Sequence, residues 1–163
     1  NHYWSPYFRT EIGTTGATLL WAPINLSLAL AAYLVRKVGM KTKYEGSALC
    51  ASLFIAGTGL ALISQSRNAS WSILFVVIQN LGRGAFFPVL EIFTQRRVER
   101  DYRATYTSLQ SFLARSGNLV VLAAVWFYTA DLPWNNALIG RVWTTCGLLL
   151  MAVSLLHWLR KPQ

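Results

Sequence analysis

The sequence predicts an all-α membrane protein, a polytopic helix bundle with five full transmembrane helices, on three observations. Of 163 residues, 54% are hydrophobic and only 13% charged, with a mean hydropathy of +0.37. Soluble domains carry about a quarter charged residues, so half that share leaves too little polar surface for a water-exposed shell. Five segments, 12–35, 46–64, 71–95, 104–129 and 137–159, reach the roughly 20 apolar residues that a helix needs to cross the hydrocarbon core. The cations gather in alternate connections: Arg36, Lys37, Lys41 and Lys43 after the first segment, Arg96, Arg97, Arg100 and Arg103 after the third, Arg160 and Lys161 after the fifth. The N-terminal tail and the connections 65–70 and 130–136 hold only Arg9 and Arg67.

Because Lys and Arg resist translocation, that alternation puts the N-terminus outside and the C-terminus in the cytoplasm, as an odd number of spans requires. It also accounts for the net charge of +9 without nucleic acid, whose binders carry their cations as a stripe on a polar face. The partner these cations face is a lipid bilayer. The chain opens on Asn1 with no basic start, apolar middle or cleavage site of a signal peptide, and reads as a piece of something longer.

The first span carries Thr14, Thr18, Trp21 and Asn25 on one narrow helical face, with Pro23 inside it as a point of bending. The second sets Ala48, Ser52 and Ala56 at four-residue steps beside Gly57 and Gly59, the spacing that lets helices approach closely in lipid. In the third, Gln79 and Arg83 align with Phe86 and Leu90, flanked by Asn80 and Phe87, while Gly82, Gly84 and Pro88 soften the helix. The fourth places Ser108, Ser111, Arg115 and Asn118 on one stripe. The fifth carries Arg141 near its outer end, where a long side chain snorkels to the headgroups, and reads as peripheral.

Rows of Ser and Thr are explained by bonds to the preceding turn. Arginine is not: a cation at the bilayer centre costs about 2.5–3.5 kcal/mol even on the most lenient scale, so Arg83 and Arg115 are expected to face protein or a watery cavity. The first, third and fourth spans therefore line a common interior, with Arg83, Gln79, Asn80, Arg115, Asn118, Asn25 and Trp21 as substrate-binding candidates. Glu91 lies nearer the cytoplasmic mouth, where it is expected to pair with a loop arginine such as Arg103; the alternative is a gating or proton-carrying carboxylate. Cys50 and Cys146 lie within apolar runs and read as filler, with no metal spacing and no cofactor expected. Asn68-Ala69-Ser70 fits a glycosylation sequon, a pattern short enough to arise by chance. His2 and His157 are the only histidines, and no Gly-x-Ser-x-Gly or His-Glu-x-x-His occurs, so an enzyme is not expected.

Arg103-Ala104-Thr105, followed by Ser108-Leu109-Gln110-Ser111 and Arg115, resembles the stretch entering the eleventh span of major facilitator superfamily (MFS) transporters. Tyr3-Trp4-Ser5-Pro6-Tyr7-Phe8 is similar to the Trp-x-Pro-Tyr that closes the seventh span in some bacterial members. The resemblance implies that residues 1–163 are part of an MFS C-terminal helical domain, spans eight to twelve, with the N-terminal half absent. It implies secondary transport of a small-molecule substrate by alternating access, uptake or efflux, with proton coupling among the options, in a bacterial cytoplasmic (inner) membrane. A non-transporting membrane scaffold or assembly subunit is the alternative. The family's loop signature between spans eight and nine is altered here. Arg36 stands where the family has an acidic residue, so no gating bond is carried over to that position.

The topology is tested by cysteine labelling in a chain whose Cys50 and Cys146 are replaced by Ser. Gln65→Cys is expected to react with an impermeant maleimide from outside, and Lys41→Cys only after permeabilisation; the reverse pattern contradicts the orientation.

Overall fold

The computed structural model describes residues 8, 13, 18–39, 41–63, 65–66, 68–129 and 136–159. Among them the regular elements are all helical: α1 (Trp21–Val38), α2 (Glu45–Ile63), α3 (Ala69–Arg97), α4 (Arg103–Thr129) and α5 (Asn136–Leu159). Single 3-10 turns, Thr42–Tyr44 and Arg100–Tyr102, lead into α2 and α4. Four segments are long and apolar enough to cross a membrane: Thr42–Ile63, Ser70–Arg97, Arg100–Thr129 and Ala137–Leu159. The expected first span, 12–35, is not among them. Its described helix runs 18 residues and ends on Arg36 and Lys37, while residues 12 and 14–17 lie outside the described residues.

The helix ends follow from local chemistry. α1 stops at Gly39, whose φ of +61° is open to a residue without a Cβ. α2 opens on Glu45, a carboxylate favoured by the positive end of the helix dipole. The Asn68 Oδ1 accepts the Ser70 N–H at 2.9 Å and caps α3, which accounts for this asparagine without glycosylation. Arg96 and Arg97 in the last turn of α3 suit the opposite pole. Pro23 falls in the first turn of α1, four residues after the helical Leu19, and brings no N–H to that carbonyl where the helix is interrupted at Leu20. Pro88 lies in the interior of α3 and brings no N–H to the Gly84 carbonyl.

Packing centres on α2, which lies against both α3 and α5, while α3 packs against α1 on another side. The contacts are close because they are made by small residues. A Cβ on Gly59 would stand 2.6 Å from the Gln79 backbone nitrogen, and one on Gly82 2.5 Å from that of Ala56. Gly84 meets the Leu28 backbone, and Gly57 and Gly147 approach each other's carbonyls. The fifth span is therefore not peripheral, contrary to its scattered polar pattern. Gly147 fits it to α2, and the buried Ser154 hydroxyl donates across to the Cys50 carbonyl at 2.5 Å. One end of the bundle is filled by Phe8, Leu20, Ile63, Val76, Ile139 and Trp143. By contrast α4 makes no extended contact with the other long helices, and almost all of its surface is exposed.

Gly59→Ala and Gly82→Ala are expected to destabilise the detergent-solubilised chain by about 1–3 kcal/mol each, because the added methyl meets backbone that has nowhere to go. Gly117, with open space around its Cβ direction, serves as control. Gly117→Ala is expected to leave the unfolding midpoint unchanged or slightly raised.

Candidate functional site

Arg83 is the central residue of the 29-residue α3, about 21 Å from either helix end, and is half-buried. Its neighbours fix the direction it faces. Gly82 is pressed against α2 and Gly84 against α1, one step of about 100° to either side. The Arg83 side chain thus leaves α3 between the two packed faces. Gln79, one turn before, has its backbone and Cβ against Gly59 of α2, and Phe87, one turn after, is exposed. Gln79 adds a second polar group: its Oε1 is buried and has no hydrogen-bond partner among the described residues. An orphaned buried acceptor is rare in a finished core, where such atoms are nearly always paired.

The other expected site residues divide. Asn80 is buried and its Nδ2 donates to the Val76 carbonyl of its own helix at 2.8 Å, so it belongs to the packing rather than to the open face. Trp21 and Asn25 are exposed on α1, and the Asn25 Nδ2 donates to the Trp21 carbonyl at 2.7 Å. Since α1 packs against α3, these two lie on a helix adjoining Arg83. Arg115 and Asn118 are exposed on α4 and are not brought against α1 or α3. Instead Arg115 lines an open groove of about 470 Å³ along α4, with Thr107, Ser108, Ser111 and Phe112. Of the three spans expected to line a common interior, α1 and α3 pack against each other, and α4 makes no extended contact with either.

The charged end of the bundle also differs from expectation. Glu91 does not pair with Arg103. It lies 4.0 Å from the Arg36 guanidinium and accepts a hydrogen bond from the Gln95 Nε2 at 3.3 Å, all on exposed side chains. Such an exposed pair contributes little stability. Arg103 donates from Nε to the Val98 carbonyl at 3.1 Å and from its terminal nitrogen to the Gln95 carbonyl at 2.7 Å. The physical reason is that the last carbonyls of α3 have no helical donor, and a guanidinium in the following turn supplies one.

The strongest charge cluster was not singled out by the sequence pattern. Glu45, with a fully buried side chain, receives Arg96 at 2.6 Å on one carboxylate oxygen and Arg97 at 2.5 Å on the other. Arg96 also donates to the Thr42 hydroxyl at 3.1 Å, and the Arg97 guanidinium lies 3.8 Å from the centroid of the Phe93 ring. The signal available was the Arg-Arg doublet ending one span together with an acidic residue opening another on the same side. Among the described residues no group of His, Cys, Asp and Glu has the makings of a metal site. The chain matches no family model, no curated protein and no solved structure.

Arg96→Gln or Arg97→Gln alone leaves Glu45 one guanidinium. The double variant strands a buried carboxylate and is expected to cost about 3–5 kcal/mol, more than the two single losses together. Adding Glu45→Gln is expected to restore part of that loss. Thermal unfolding of the four variants checks this, and simple additivity would contradict a shared carboxylate.

Proposed function

We propose that this chain is part of an MFS-type secondary transporter and forms one wall of a mid-membrane cavity through which a small solute passes by alternating access. The observation that carries the reading is Arg83, a half-buried cation at the centre of a membrane-length helix, aimed between two closely packed neighbours. A cation at that depth is stable beside water or a polar partner and costly against acyl chains. The orphaned Gln79 acceptor and the Trp21–Asn25 face of α1 give the same wall a mixed polar and aromatic character, as solute sites at the membrane midplane require. The chemistry is binding and release. Arg83 takes an anionic or polar group, Gln79 accepts from a donor, and the Arg115–Asn118 stripe of α4 joins when the N-terminal half closes the bundle. The exposed Arg36–Glu91 pair sits at the cytoplasmic mouth, in a bacterial inner membrane with the N-terminal end outside.

One observation favours a different reading. The nearly bare surface of α4 suits a helix that docks on another membrane protein, as in a non-transporting scaffold or assembly subunit. Solute flux separates the two. In the complete protein, reconstituted in proteoliposomes, Arg83→Ala is expected to lower uptake or efflux at least tenfold with membrane insertion intact, and Arg83→Lys to keep part of it. Flux indistinguishable from the unsubstituted protein removes Arg83 from the site, and absence of any flux in the unsubstituted protein favours the scaffold.

A further inference from the structure

At the end of α1 a groove of about 520 Å³ runs along Leu34, Val35 and Val38 to Gly39, Lys41 and Tyr44. Leu34 and Val38 are one helical turn apart, and both are exposed, as is Tyr44. The positive φ at Gly39 ends the helix and turns the chain, so that Lys41 borders an apolar trough instead of extending α1.

The charges at this end of the bundle do not cancel locally. The Glu45 carboxylate is held by Arg96 and Arg97, and Glu91 faces Arg36. Arg103 is engaged with backbone carbonyls, and Lys37 lies over the Tyr33 ring at 5.7 Å from its centroid. Glu99 and Asp101 belong to the α3–α4 connection and make no ion pair among the described residues. Lys41 and Lys43 likewise have no ion pair among the described residues. The Lys41 ammonium thus borders an apolar groove at the end of α1, with Lys43 two residues further along the chain.

We infer that this groove seats one anionic phospholipid, its acyl chain against Leu34, Val35 and Val38 and its phosphate at Lys41, with Lys43 beside it. An ammonium offers three donors to a phosphate oxygen, while the groove wall takes a chain that water would expel. Basic clusters where helices leave the bilayer attract anionic headgroups in this way. The inference rests on the membrane placement of the helices and is independent of transport.

Native mass spectrometry of the full chain in non-ionic detergent tests it, with phosphatidylglycerol, phosphatidylcholine and inorganic phosphate as probes. One phosphatidylglycerol is expected to be retained at least tenfold more tightly than phosphatidylcholine. Lys41→Gln is expected to weaken it about fivefold and Lys41→Gln with Lys43→Gln further, the phosphatidylcholine affinity being unchanged. Val38→Trp, which fills the trough without altering charge, is expected to weaken it as well, and Arg100→Gln to leave it unaffected. Circular dichroism verifies that each variant remains helical. Equal retention of the two lipids overturns the inference. An Arg100→Gln effect as large as that of Lys41→Gln also overturns it, since the attraction is then a diffuse surface field. So does displacement of the lipid by equimolar phosphate, since the groove then contributes nothing.

Discussion

Helices within lipid gain nothing by hiding apolar side chains from one another, because the surrounding tails are equally apolar; they hold together where their backbones can come close enough for dispersion and polar contacts to accumulate. This constraint shapes the bundle. Gly57, Gly59, Gly82, Gly84 and Gly147 each stand where a Cβ would press into a neighbouring backbone. Together they draw α3 and α5 onto α2, and α1 onto α3. The position of Arg83 is a consequence. Glycines on both sides of it are used for packing, so the residue between them is turned to the sector that packing leaves open. A Leu at 82 or 84 would push a neighbour away and alter the direction in which the arginine reaches.

Charge is handled differently along the length of the bundle. Near one end, Glu45 is buried and its two oxygens are divided between Arg96 and Arg97, tying the start of α2 to the end of α3. The guanidinium groups remain partly in solvent, which spares the cluster much of the desolvation that makes a fully buried ion pair a weak source of stability. At the other end an apolar cluster that includes Phe8 and Trp143 does the joining without charge. Midway, Arg83 stands half-buried at the centre of α3, between the glycines that pack onto α2 and α1. That depth is what makes it the residue from which function is argued.

Much of this was legible in the sequence, and the reasons for the exceptions are physical. The expected segments 104–129 and 137–159 differ from α4 and α5 by one residue at the start, because length and hydropathy alone define a helix that spans lipid. The role of Ala56, Gly57 and Gly59 followed from spacing. Gly147, in the span read as peripheral, did not: a single glycine has no period, and its partner Gly57 is remote in sequence. Glu45 was missed for a similar reason. It precedes its expected span, and its partners lie 51 and 52 residues away. Arg103 went to backbone carbonyls rather than to Glu91 because helix-end acceptors carry no signature in side-chain patterns. For the site, the place of Arg83 at the middle of its helix was readable from the sequence, whereas the packing of Gln79 on Gly59 and the separation of α4 depend on tertiary contacts that periodicity does not encode.

The central claim is that the α3 face bearing Arg83 borders water at mid-membrane depth, and the most direct measurement is thiol reactivity at Phe87, one turn from Arg83. In a background with Cys50 and Cys146 replaced, Phe87→Cys is expected to react with a charged methanethiosulfonate at a rate within tenfold of a loop cysteine, because the thiolate that attacks this reagent forms in water. Reaction confined to a lipid-soluble maleimide, with the charged reagent excluded from both sides of the membrane, would mean that this face meets acyl chains and would contradict a hydrated cavity.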